Sequence, residues 1–88
     1  MRAEPLGWSL IMTPFRLELS DHAAARLKQR LITREQVRSC VAKGTVLGFD
    51  LRGRVLCQAR IDREDLVVVY IEIPQGVLVV TAYWKGTI

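Results

Sequence analysis

Ser20-Asp21-His22-Ala23-Ala24-Ala25-Arg26-Leu27-Lys28-Gln29-Arg30-Leu31-Ile32-Thr33-Arg34-Glu35-Gln36-Val37 carries two helix starts in close succession. Ser20 is a good N-cap, and the spacing after it predicts a helix from Asp21 to about Arg30. Thr33-Arg34-Glu35-Gln36 has the form of a capping box, in which the Thr33 hydroxyl takes the Gln36 amide and the Gln36 side chain reaches back. Ile32 and Val37 flank that box as a hydrophobic staple. Val37, Cys40 and Val41 give the second helix its apolar stripe. Gly44 ends it, with Lys43 in the last turn to oppose the dipole. The two helices are therefore joined tightly near Leu31-Ile32. On the first helix His22, Arg26 and Arg30 fall within an arc of about 80°, and Gln29 joins them. Ala23, Ala24, Leu27 and Leu31 lie roughly opposite and form the stripe expected to pack.

Strand patterns surround this helix pair. Phe15 to Leu19 alternates apolar and polar residues, the period of a half-buried strand. Thr45 to Phe49 is a weaker candidate, broken by Gly48, and Asp50 to Gly53 reads as a turn. Arg54 to Ile61 alternates well, Asp62 to Asp65 turns the chain, and Leu66 to Ile73 is rich in β-branched residues. Pro74-Gln75-Gly76 ends that run, and Val77 to Trp84 completes the set. Short connections favour an antiparallel meander. The expected fold is α+β, with two helices on one face of a three- to four-stranded antiparallel sheet in the order β-α-α-β-β-β. Residues 1–12 read as a loose tail, because Pro5 and Gly7 interrupt them and they lack periodicity. Met12 reads as a candidate start, and residues 13–88 read as one domain.

Alternation also assigns the sheet faces. Val55, Cys57, Ala59, Ile61, Val67, Val69, Ile71, Ile73, Leu78, Val80 and Ala82 are expected under the helices. Arg54, Gln58, Arg60, Tyr70, Glu72, Thr81, Tyr83 and Lys85 are expected on the open face. Cations interleaved with tyrosines suit single-stranded RNA, since cations hold phosphates and rings stack on bases. A solvated polar face is the ordinary alternative for an antiparallel sheet.

The totals narrow the classes. Eighty-eight residues, half of them hydrophobic and a quarter charged, suit one small globular domain. The net charge is +4, and ten Lys or Arg stand against four acids between Arg16 and Arg60. That balance favours a polyanionic partner. Cys40 and Cys57 form no CxxC, and one histidine cannot complete a zinc set, so two buried reduced thiols and a cytoplasmic setting are expected. No apolar run reaches the ~18 residues of a membrane span. Neither a Gly-rich phosphate loop nor a metal-ligand cluster is present, so no metal and no cofactor are expected.

The order Ser20-Asp21-His22-Ala23, Arg26, Arg30, Ile32-Thr33, Val37 and Gly44, followed by Thr81-Ala82-Tyr83 near the end, resembles a known pattern. It is similar to the small domain-of-unknown-function family numbered 4258, with signature S-x-H-A-x-x-R-x-x-x-R-G-I-[ST]-x-x-x-V and a closing T-x-Y strand. The resemblance spans about residues 15–84. One departure is visible: Leu31 stands where the family usually has Gly. The resemblance implies a RelE-like domain of the barnase–EndoU–colicin–RelE fold, a group that includes metal-independent ribonuclease toxins.

The implied activity is RNA cleavage by attack of the substrate's own 2′-hydroxyl, which needs a base, an acid and cations around the phosphorane. His22 is the candidate base or acid. Tyr83 is the second catalytic candidate, as proton donor or stacking ring. Arg26 and Arg30 are the candidate phosphate ligands, with Thr81 on a phosphate oxygen and Arg54, Arg60 and Lys85 as further cations. The alternative is a non-catalytic module of a toxin–antitoxin-like system that binds RNA, an antitoxin or another protein. One geometric condition governs the site. The His22 stripe faces away from the sheet, and Tyr83 lies on the face opposite the helices. They meet only where the helix lies over a sheet edge.

Overall fold

The helix starts fold as their caps dictate. In the computed structural model, which describes residues 15–86, Ser20 Oγ accepts from the Ala23 amide at 3.0 Å. The Thr33–Gln36 capping box is closed in both directions, and Ile32 and Val37 beside it are both buried. The elements are β1 (Arg16–Leu19), α1 (Asp21–Arg30), α2 (Arg34–Lys43), β2 (Thr45–Phe49), β3 (Val55–Ile61), β4 (Glu64–Ile73) and β5 (Gly76–Trp84). The class is α+β, as expected. The tail expected at residues 1–12 lies outside the described residues.

The expected three- to four-stranded antiparallel sheet is corrected on two counts. The sheet has five strands in the order β1-β5-β4-β3-β2, and it is mixed, because β1 runs parallel to β5. Phe15 to Leu19 cannot join the meander by a tight turn, since two helices intervene. That long crossover is what a parallel pairing requires. The remaining pairs are antiparallel. Helix α1 packs on β5 and β1, and α2 packs on β3 and β4.

The expected face assignment is wrong for β4 and half of β5. Asp62 and Arg63 both take positive φ, the signature of a two-residue hairpin turn. The strand β4 therefore starts at Glu64 rather than Leu66, opposite Ile61. Cys57 then pairs with Val68 and Val55 with Tyr70, so Leu66, Val68 and Tyr70 face the helices. Val67 and Val69 face the other way. A register shift beside Tyr70 leaves Val80 as the extra residue of β5, and a bulge of this kind moves the side-chain phase by one. Val77 and Val79 precede it in the core and Ala82 follows it, whereas Leu78 and Val80 do not belong to that cluster. Tyr70 is thereby removed from the open face and buried.

The core joins these faces to Leu17, Ala23, Leu27, Ile32, Val37 and Cys40. Of the stripe expected on α1, Ala23 and Leu27 are buried, while Ala24 is exposed and Leu31 is 85% exposed. Cys40 and Cys57 are free and buried, with their sulfurs 3.7 Å apart. Burial pushes the Cys40 thiol up to about 12, so it is a packing group rather than a nucleophile. Gly44 ends α2 in an extended conformation. Its role is space, since a Cβ there would lie 2.4 Å from the Cys40 carbonyl oxygen.

Leu31 explains what the departure from Gly does. It occupies the left-handed cap of α1, at φ 57° and ψ 44°, where its amide donates to Leu27 and Lys28. That conformation costs a non-glycine residue roughly 1–2 kcal/mol, against ~0.5–1 kcal/mol for the greater freedom glycine has when unfolded. The exposed side chain contributes little packing. Leu31→Gly is expected to raise stability by about 0.5 kcal/mol, seen as a melting temperature a few degrees higher.

Candidate functional site

Strand β1 ends early, and this shapes the site. It pairs only with residues Gly76 to Val79 of β5. The rest of β5, from Val80 to Trp84, has no strand on that side among the described residues. Helix α1 runs along this open stretch. At its start the Ser20 amide donates to the Val79 carbonyl at 3.1 Å, and Ser20 Oγ donates to Val80 at 3.4 Å. At its end Arg30 Nη1 donates to the Ala82 carbonyl at 2.8 Å. The Trp84 indole returns the contact by donating to the Arg30 carbonyl at 3.0 Å. These last two bonds tie the end of the helix to the end of the strand.

A cavity of about 390 Å³ opens there, lined by Gln29, Arg30, Tyr83 and Trp84. It meets part of the geometric condition set above. Because β1 no longer separates the faces, Arg30 from the helix side and Tyr83 from the open face share one cleft. Among the described residues Arg30 spends one of its five N–H donors on Ala82, which leaves the others able to meet an oxyanion. Arg26, one turn earlier, donates to Gln29 Oε1 at 2.8 Å, so it borders the cleft through Gln29. Trp84 and Gln29 line the cleft although neither was a candidate site residue. Gln29 shares the helix face of the arginines, which was the available signal. No local pattern indicated that the Trp84 indole would bond the end of α1.

His22 is not among the lining residues. It is exposed in the first turn of α1, eight residues before Arg30 and so roughly 12 Å away along the axis. The other candidates divide. Thr81 pairs with Val69 and Tyr83 with Val67 on the face away from the helices, where Val67 and Val69 are themselves buried. Lys85 Nζ reaches Gln58 Oε1 at 3.4 Å across that face, and Arg60 lies in the next row beside Asp65, at 3.4 Å. Arg54 lies toward the other end of the sheet. Its Nε bonds Asp50 Oδ2 at 2.5 Å, and the backbone amides of Arg54 and Arg52 donate to Asp50 Oδ1. These bonds, led by the Arg54 amide, hold the Asp50 carboxyl below its ordinary range. Arg54 therefore organises the β2–β3 loop. Among the described residues no group of three or more His, Cys, Asp or Glu could hold a metal. No described helix is long and apolar enough to cross a membrane.

Two helices on one face of a mixed sheet, with Gln29, Arg30, Tyr83 and Trp84 around a cleft at an interrupted edge, define a small α+β domain. The chain belongs to the family described as Domain of unknown function (DUF4258), which matches residues 19–84. No curated protein and no solved structure matches it.

Proposed function

We propose that this domain binds single-stranded RNA in the cleft at the end of α1. The observation that carries this is the convergence of Arg30, Tyr83 and Trp84 around one cavity. Phosphate binds the Arg30 guanidinium, bases stack on the rings, and exposed Lys85 adds a further cation nearby. A short fluorescent oligouridine is expected to bind with an affinity that falls steeply with salt. Tyr83→Ala is expected to weaken it at least tenfold, since base stacking is worth ~1–3 kcal/mol. Arg52→Gln, at the far edge of the sheet, is expected to leave it unchanged. Equal loss in both variants would mean only diffuse attraction to a basic protein.

A second reading is supported by one further observation. The stripe of His22, Arg26 and Arg30 follows the same interrupted edge, so an RNA strand lying along it passes all three. In that reading the domain is a RelE-like, metal-independent endoribonuclease of toxin type. The 2′-oxygen attacks phosphorus, one group takes the 2′-hydroxyl proton, and another protonates the departing 5′-oxygen. The products are a 2′,3′-cyclic phosphate and a 5′-hydroxyl. His22 and Tyr83 are the candidates for the two proton transfers, a role that requires His22, roughly 12 Å along the axis from Arg30, to close on the cleft when RNA binds. Labelled RNA incubated in EDTA is expected to yield those ends, with a ~10²–10⁴-fold loss of rate in His22→Ala. Binding without cleavage assigns the domain to the non-catalytic alternative.

A further inference from the structure

The three open stretches of sheet edge are treated differently. The parallel ladder leaves the Phe15 and Leu17 carbonyls of β1 pointing outward, and α2 covers both. Arg38 Nη1 donates to Phe15 at 3.1 Å and Arg34 donates to Leu17. The open stretch of β5 is held by Ser20 and Arg30. The outer edge of β2 has no such cover among the described residues. Its side chains are apolar and exposed instead: Val46 at 52%, Leu47 at 54% and Phe49 at 69%, with Leu51 beyond them wholly in solvent. Soluble proteins usually blunt an edge strand with charge or cover it. Here a bulge between Val46 and Gly48 bends the strand, but it does not hide those side chains.

Charge selects the occupant. Lys43 stands just before β2 and Arg52 just after it, both exposed, and neither has an acidic partner among the described residues. In an antiparallel pairing of two copies centred on β2, Lys43 of one lies beside Arg52 of the other. Like charges so placed oppose self-association. A cavity of about 530 Å³ adjoins the strand, lined by Lys43, Leu47 and Arg60 among others. Asp65 also lines it and offsets Arg60, so Lys43 is the cation left there to meet an acidic side chain, with Leu47 as the apolar wall.

We infer that β2 is a docking edge for an extended segment of a partner protein, apolar at alternate positions and acidic at both ends. The segment adds to the sheet as a further strand, with main-chain bonds along β2 and its acidic ends at Lys43 and Arg52. This edge is at the opposite side of the sheet from the α1 cleft, so the inference does not rest on the RNA reading.

The test uses the whole chain and short synthetic peptides of alternating Val and Thr. One has Glu at both ends and one has Lys. A third repeats the Glu peptide with alternate backbone amides N-methylated. The Glu peptide is expected to bind at least tenfold more tightly than the Lys peptide and to protect the amides of Thr45 to Phe49 from exchange. N-methylation is expected to abolish binding. The double variant Lys43→Glu/Arg52→Glu, which changes only exposed side chains, is expected to reverse the preference. Tyr83→Ala is expected to leave peptide binding intact. Equal binding of the Glu and Lys peptides, undiminished binding of the methylated one, or protection elsewhere would overturn the inference. So would concentration-dependent dimers that protect β2 without peptide, which would assign the edge to a second copy.

Discussion

Gly76→Ala is expected to destabilise the domain by about 3–5 kcal/mol, among the largest effects of a single methyl group. The cause is backbone, not side chain. A Cβ at Gly76 would lie 2.0 Å from the Arg16 carbonyl oxygen and 2.7 Å from the Arg16 nitrogen. Neither atom can swing aside as a side-chain tip can, so β1 must move. That breaks the bond from the Arg16 amide to Gln75, now 2.7 Å, and uncovers Leu17, now 3% exposed. Ser20 follows directly and anchors the start of α1 on Val79, so the damage reaches the helix. For a domain of this size such a loss is much of the total stability. The melting temperature should fall by about 12 °C or more, at ~4–8 °C per kcal/mol. Amides of Leu17 to Leu19 should lose exchange protection before those of β3 and β4. Gly53→Ala is the control, since Gly53 has positive φ but open space around it. It should cost only ~1 kcal/mol. Similar melting temperatures for the two variants would mean that β1 is not held by this close approach.

What the sequence made legible here is local. The Ser20 cap and the Thr33–Gln36 box are short-range hydrogen-bonding patterns, and both helices begin where those residues place them. The strands themselves were also readable from alternation and turn residues. Their phase was not. Leu66 to Tyr70 is apolar at every position, so the run carries no alternation to say which side faces the helices. The two-residue turn at Asp62-Arg63 sets that phase, and the bulge at Val80 changes it again within β5. The parallel pairing of Arg16 with Gly76 joins residues sixty positions apart, and no local pattern encodes it. The candidate site followed the same division. The stripe of His22, Arg26 and Arg30 is a helical period and was visible. That β1 stops short, so that Arg30 and Tyr83 meet around an interrupted edge while His22 stays outside the cleft, depends on register. Trp84 illustrates the limit, because its indole N–H needed an acceptor, but only the fold supplies the Arg30 carbonyl.

Trp84→Ala is expected to cost about 3 kcal/mol and to reduce RNA binding in the cleft by more than tenfold. Two contributions add. The half-buried ring packs against the core, and large-to-small aromatic substitutions cost ~3–5 kcal/mol when the ring is fully enclosed. The indole also caps a helix. The Arg30 carbonyl is among the last four of α1, which lack partners within the helix, and Trp84 donates to it. Trp84→Phe separates these contributions. It keeps most of the packing and removes the donor, so its stability cost should be only about 1 kcal/mol. The consequence for the cleft is larger than that figure suggests. Arg30 is held at both ends, by its own side chain on Ala82 and by Trp84 on its carbonyl, and freeing one end blurs the position of the guanidinium that meets phosphate. Trp84→Phe should therefore lower RNA affinity several-fold while the melting temperature falls by less than ~8 °C. A double-mutant cycle with Arg30→Gln should show a coupling of at least ~0.5 kcal/mol in binding. Strict additivity, or a Trp84→Phe protein that binds RNA as tightly as the parent, would mean that Trp84 serves packing alone and that Arg30 is positioned without it.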